Sequence, residues 1–305
     1  MKEIKKILCY LDPVSHAKSA IKQTLTLAKL HNASICFISI LKPIPAPIST
    51  LQQTYINIQK NTINKQLKEF GVNPEDHEIR VITGSLGALD IVTVAVREDF
   101  DLIIKPTDDK GHNRVSIFGS NDQQLFRKSS VPVWINKPTK SFQCKRLLAA
   151  VDIDPEQPEN IELNRGIVAL AKEMAKAFSA ELHVVHAYHM PYAAMLQDKE
   201  EFDLPEQTES ALADIRMERE NLWNDFLTEY QLDSDSHFAH FIEGEVDKVV
   251  SDLALTLDID TVVMGTVART GIEGFFIGNT AEKILSKLDC SVLAIKPDSF
   301  SPPVR

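Results

Sequence analysis

Two glycines thirteen positions apart, Gly265 and Gly278, bracket the segment of this chain best suited to chemistry. The segment follows a short apolar run, residues 261–264, and leads into a helix-spaced stretch, residues 279–288. Glycine lets backbone N–H groups come close to an anion, and a helix start adds the positive end of its dipole. Gly278, Asn279 and Thr280 stand where that helix would begin, with Asn279 as an able N-cap. Such a loop can cradle a phosphate. The same glycines also suit a plainer role, ending a strand and opening a helix.

Other candidates are weaker. His183, His186 and His189 recur at every third position, and His237 and His240 repeat the interval, a spacing met in metal sites. On a strand, however, positions i and i+3 point to opposite faces, so His183 and His186 cannot reach one ion. His189 lies beyond the strand, near Pro191, where the chain can fold back. Zinc needs three or four convergent ligands, and no metal is expected. The GxxxxGK[ST], HExxH and GxSxG patterns are absent, as is a GxGxxG after the first strand of either half. No catalytic residue is assigned, and a non-catalytic protein is expected.

Composition narrows the classes further. The 305 residues carry 33 Lys+Arg against 43 Asp+Glu, a net charge of −10, which disfavours nucleic acid as a partner. The apolar stretch 33–41 is far short of the ~20 residues that cross a bilayer, so no membrane association is expected. Lysines precede an apolar run at residues 1–11, but the run is too short for a signal peptide. Cys9, Cys36, Cys144 and Cys290 are scattered in apolar surroundings, which fits reduced, buried thiols in a cytoplasmic protein.

The elements that must position the glycine loop occur twice. Residues 99–138 align with 258–297 at a constant offset of 159, and eight of the 40 pairs are identical. Among them are Asp99/Asp258, Asp101/Asp260, Thr107/Thr266 and Gly119/Gly278. A period of this length is a duplicated domain. The expected domains are residues 1–138 and 145–298, with a short polar linker through 137–141.

Each half alternates apolar runs with helix-spaced stretches. In the second half, strands are expected at 147–151, 182–187, 237–242, 261–264 and 292–295. Helices are expected at 160–178, 209–230, 246–257 and 279–288. In the first half, strands are expected at 7–10, 35–40, 78–82, 102–104 and 131–135. Leu212, Ile215, Met217, Trp223, Phe226 and Leu227 form an apolar stripe for packing on the sheet, and the acidic segment 198–209 reads as a solvated loop. Five strands with helical crossovers predict an α/β fold, a doubly wound parallel sheet in order 3-2-1-4-5 in each half. Strands one and four flank the switch point, and the ligand crevice lies beyond their carboxyl ends. Asp152 and the loop from Gly265 both fall there in the second half.

The segment Gly265-Thr266-Val267-Ala268-Arg269-Thr270-Gly271, continuing to Gly278-Asn279, resembles the glycine loop of the universal stress protein family. ATP-binding members carry Gly-x2-Gly-x9-Gly-[Ser/Thr]; here the frame is Gly265-x2-Ala268-x9-Gly278-Asn279, with the spacing kept and two positions changed. Together with the two halves and the closing Ile295-Lys296-Pro297-Asp298, the chain is similar to the family's tandem members over essentially its whole length. The resemblance implies an adenine-nucleotide alpha-hydrolase-like fold. It also implies a role in surviving stress, with ATP or another adenine nucleotide as ligand. Asp152 would then face the ribose or adenine, Ala187 would line the base pocket, and Met264 and Gly265 would form its edge. Ala268 is a cost where that backbone needs positive φ, roughly 1–2 kcal/mol for a Cβ.

The first half departs further. Its frame is Pro106-x2-Asp109-x9-Gly119-Ser120. Pro106 removes an N–H donor, and Asp109 would set negative charge beside phosphate, so this half reads as a scaffold with a degenerate site. As single-domain relatives pair through their last strands, residues 131–135 and 291–295 are expected to meet as an intramolecular pseudo-dimer. Pro132 is then tolerable as an edge-strand residue. A homodimer of the whole chain is a further possibility. Two functional readings stand: a stress protein sensing a nucleotide or other phosphate-bearing ligand, and a scaffold binding protein partners or an apolar ligand. A nucleotidase is a third, weaker reading, because Asp152-Ile153-Asp154-Pro155 puts acids where adenylyl-transfer relatives place a Gly-Ser loop.

Overall fold

The computed structural model describes residues 3–12, 17–85, 87–108, 118–137, 143–154, 159–189, 206–232, 237–266 and 277–302. In the first half, β1 (Lys6–Tyr10), α1 (Lys18–His31), β2 (Ser34–Leu41), α2 (Gln52–Glu69) and β3 (Glu78–Thr83) are followed by α3 (Ala88–Arg97), β4 (Leu102–Pro106), α4 (Ser120–Lys128) and β5 (Val133–Asn136). The second half repeats the order: β6 (Arg146–Val151), α5 (Glu159–Phe178), β7 (Glu181–Tyr188), α6 (Glu206–Glu229), β8 (His237–Glu243), α7 (Val246–Thr256), β9 (Thr261–Gly265), α8 (Asn279–Lys287) and β10 (Ser291–Ile295). Most expected boundaries fall within one or two residues of these.

The ten strands form one sheet in the order β3-β2-β1-β4-β5-β10-β9-β6-β7-β8. Within each half all pairings are parallel and the order is 3-2-1-4-5, as expected of right-handed crossovers. The halves join through β5 and β10, which run antiparallel with Trp134 opposite Leu293. Apolar residues alternate between two cores because successive strand side chains point to opposite faces. One core packs α1, α2, α5 and α6 against residues such as Ile7, Trp134, Val184 and Leu293. The other packs α3, α4, α7 and α8 against Leu8, Ile103, Val185 and Val292. Both run through the two halves without a break.

Several identical residues of the repeat now have physical reasons. Asp99 and Asp258 take left-handed backbone, φ 53 and 52, just after α3 and α7. There the next N–H reaches back into the helix, Phe100 to the Ala95 carbonyl and Ile259 to the Ala254 carbonyl, each at 2.9 Å. Asp101 accepts hydrogen bonds from the N–H groups of Lys5 and Lys6 at 2.8 and 2.9 Å. Asp260 does the same for Lys145 and Arg146 at 2.6 and 3.0 Å. Each carboxylate thereby fixes the entry of its half's first strand.

Three expectations need correction. Pro132 lies just before β5 rather than in it, and β5 is an interior strand. The proline needs no edge because it stands outside the ladder, where its carbonyl accepts from Ile103 N at 2.9 Å. Met217 does not join the α6 stripe: it is 58% exposed, whereas Trp223 and Phe226 are buried and stack on each other. Its position falls outside the 3.6-residue face that Trp223 and Phe226 define. Finally, residues 206–209 of the acidic segment open α6 rather than lying in a loop, and the rest of that segment is outside the described residues.

Among the described residues, no helix is long and apolar enough to cross a membrane. All four cysteines are free and buried, and burial pushes each thiol up to about 12, which keeps them protonated and poorly nucleophilic.

Candidate functional site

In the second half, β9, β6 and β7 are neighbours, so Gly265, Asp152 and Ala187 stand at or just past the carboxyl ends of three adjacent strands. Ala187 and Met264 are buried and lie on the face that α7 and α8 cover. Helix α8 starts on that same face. Its N-cap is Gly278, not Asn279, which sits one residue inside the helix with its side chain exposed. Glycine has no side chain to cap with, and among the described residues no side chain caps the first turn. The N–H groups of Asn279 and Thr280, in the first turn, have no intrahelical acceptor. Ala268 and the rest of 267–276 lie outside the described residues.

Asp152 is held by α5. Asn164, itself buried, accepts from Asp152 N at 3.1 Å and donates to the Asp152 carbonyl at 2.8 Å. Asn160 donates to the Asp152 carboxyl at 3.2 Å. This two-way amide clamp sets the turn from β6 into α5. Replacing Asn164 by leucine removes both of these hydrogen bonds, and a loss of about 2–3 kcal/mol is expected in urea unfolding.

Gly265 has a packing reason of its own. A Cβ there would come within 2.6 Å of Leu163 Cδ2 on α5. Beyond it, Thr266 is fully buried, its N–H bonded to the Ile295 carbonyl at 3.1 Å, and its own carbonyl accepts from Lys296 Nζ at 3.2 Å.

The equivalent place in the first half is filled by the protein itself. Lys105, at the position of Met264, is 2% exposed, and its ammonium donates to Asp122 Oδ1 at 2.7 Å and Asp108 Oδ1 at 2.5 Å. Asp122, at the position of Ala281, is 0% exposed. Its Oδ2 accepts from the N–H groups of Asp108 and Gly119, both at 3.0 Å, and from the Thr107 hydroxyl at 3.3 Å. A carboxylate thus occupies the helix-start position that an anion would take. Burial raises the Asp122 carboxyl above its ordinary range, against the opposing pull of the Lys105 ammonium. Gly119 is the N-cap residue of α4, with Ser120 as the first residue of the helix; Pro106 closes β4, and Asp109 is outside the described residues.

The histidines divide between faces. His183 stacks on His240 with a ring-nitrogen contact of 3.0 Å, and also on Phe238. His186 lies on the opposite face with Trp223 and Phe241. Burial lowers all three histidine pKa values, His183, His186 and His240, favouring neutral rings. His189 is exposed, and no group of three or more metal-ligating side chains occurs among the described residues.

The charged cluster of the first half and the Asn164 clamp were not anticipated. A signal for the cluster existed: at an offset of 159, Lys105 and Asp122 stand opposite Met264 and Ala281, two charges against two apolar residues. Asn164 gave none, because an asparagine in a helix-spaced stretch looks like any exposed polar residue.

The model of the universal stress protein family matches residues 3–137 and again 144–296. The chain is 28% identical to universal stress protein E of Escherichia coli K12 over 262 residues, 86% of this chain and 81% of that protein. It is 29% identical over 251 residues to a universal stress protein E homolog of Haemophilus influenzae, 82% of this chain and 79% of that protein. A solved structure of a Pseudomonas aeruginosa PAO1 protein superposes with a TM-score of 0.73 at 25% identity, covering 97% of this chain and 94% of that one. With two matches end to end, the duplicated fold and the shared sheet, the chain belongs to the universal stress protein family, as a tandem member of the universal stress protein E type.

Proposed function

We propose that the second half binds an adenine nucleotide or a similar phosphate-bearing ligand, that the first half is a scaffold binding none, and that the protein works by occupancy rather than catalysis. The observation that carries this reading is the contrast between the two helix starts. At α8 no side chain caps the first turn among the described residues, while at α4 the Asp122 carboxylate reaches back to the N–H groups of Gly119 and Asp108. Ala187 and Met264 supply an apolar wall on the face from which α8 rises, suited to a base, and Asp152 stands at the neighbouring strand tip for a ribose hydroxyl.

Isothermal titration of the full chain with ATP and ADP tests this. The expected result is saturable heat at one site per chain, weakened about tenfold or more in Thr280→Glu, which sets a carboxylate at the helix start. No heat up to millimolar ligand, in the wild type and in Ala268→Gly alike, would overturn it.

A second reading is favoured by one observation. The Leu163 contact accounts for Gly265 without any ligand, as an interaction scaffold would require. Protein purified under native conditions and free of nucleotide by mass spectrometry, together with silent titrations, is the outcome that supports it.

A further inference from the structure

Lys296 is the one described lysine besides Lys105 that is buried, at 8% exposed, and it is handled in the opposite way. Lys105 is enclosed by two carboxylates. Around Lys296, no carboxylate among the described residues lies within ion-pair distance. Among the described residues its ammonium meets the Thr266 carbonyl and the face of the Phe300 ring, 4.2 Å from the centroid. The equivalent residue of the first half, Lys137, is ion-paired with Asp289, its side chain 23% exposed. Among the described residues the amine of Lys296 is therefore without the carboxylate partner that buried cations ordinarily need.

Beside it lies a cavity of about 450 Å³ at the seam between the halves. Residues 100–102 and 130–132 line it from the first half; α5 and the chain following β10, Lys296 included, line it from the second. Its wall is apolar, with Phe100, Leu163, Leu170 and Ile295, while Asp101, Glu162, Arg165 and Asp298 bring the remaining charges. The volume falls within the range of about 300–1,000 Å³ typical of small-ligand pockets.

We propose that Lys296 is a reactive amine that captures aliphatic aldehydes entering the seam cavity, holding them as a reversible imine. The Nζ lone pair adds to the carbonyl carbon, and the carbonyl π electrons pass to oxygen. The carbinolamine then loses that oxygen as water with the two amine protons, leaving a C=N bond with no change in oxidation level. The apolar wall takes the alkyl chain and excludes water that would hydrolyse the imine. Burial brings the lysine down to about 8, so a useful fraction is neutral and nucleophilic near neutral pH. The proposal is independent of nucleotide binding.

The test uses the folded full chain, hexanal as probe and cyanoborohydride to reduce the imine, with peptide mass spectrometry locating the hexyl-lysine. At pH 7 an ordinary lysine is neutral in roughly one part in 2,500, against about one in ten for an amine near 8. Passage into the cavity takes back part of that advantage, so Lys296 is expected to label at least about tenfold faster than Lys137. Excess 1-hexanol, which fills the cavity and cannot react, is expected to slow labelling at Lys296 and leave Lys137 unchanged. The proposal is overturned if Lys296 labels no faster than Lys137, if it labels only after unfolding in urea, or if hexanol gives no protection. Each readout is made on the wild-type chain, so none depends on a variant that folds.

Discussion

Trp134→Ala is expected to remove about 3–5 kcal/mol of stability, read as a lower urea midpoint. Trp134 is 0% exposed and is the largest fully buried side chain of the fold. It belongs to β5 of the first half, yet its ring meets Phe178 of α5 edge-on at 5.8 Å, and its backbone faces Leu293 of β10. Deleting the indole opens a void whose walls come from both halves. Their unfolding is therefore expected to shift together, followed by fluorescence of the remaining Trp223 and by circular dichroism. A loss under about 1 kcal/mol, or a shift confined to one half, would mean that the seam does not couple them.

Lys105→Met is the second large effect. It leaves the Asp122 carboxylate buried without its cation, and removing one partner of a buried pair costs about 3–5 kcal/mol. Adding Asp122→Ala to that variant removes the orphaned charge and recreates the Met264 and Ala281 arrangement of the second half. Most of the loss is expected to return, short of roughly 1 kcal/mol for the helix-start contacts that Asp122 makes. The pH dependence has a definite sign. The native state holds the Asp122 proton more tightly than the unfolded chain, because burial raises its carboxyl. Its contribution to stability is therefore full at low pH and falls as pH rises from the unfolded carboxyl range through the raised native value. In Lys105→Met the cation that opposed the rise is gone. The penalty is expected to shrink as pH falls and Asp122 protonates, and a penalty independent of pH would show that the charge was not its source.

Most of the architecture could be read from apolar periodicity and from the repeat. Buried strands such as 261–264 are uniformly apolar, and crossover helices leave few sheet orders. The meeting of β5 and β10 followed from the family resemblance, whose single-domain members pair through their last strands, and not from periodicity. Pro132 misled because strand ends are set by ladder hydrogen bonds, which composition does not reveal. Met217 misled because a neighbouring apolar residue on a helix can fall outside the buried face.

The site was legible in part. Asp152, Gly265 and Gly278 could be placed beyond strand ends and at a helix start from the pattern of elements, whereas Ala187 and Met264 entered only through the family resemblance. Asn279 was misassigned as the N-cap, since an asparagine beside a glycine is the better capper by type and only backbone geometry decides between them. The Lys105 cluster escaped because three charged residues from two elements become one unit only after folding. Lys296 likewise looked like one more lysine before a proline.

The antiparallel contact of β5 with β10 is made between two similar halves of one chain, tethered by its peptide bonds instead of meeting by chance encounter. When two identical subunits associate symmetrically, a substitution in one appears in the other, so neither pocket can be retired without losing both. A fused gene product escapes that rule. One copy is free to carry the buried Lys105–Asp122 pair where its twin has Met264 and Ala281, a divergence denied to any assembly of equal parts.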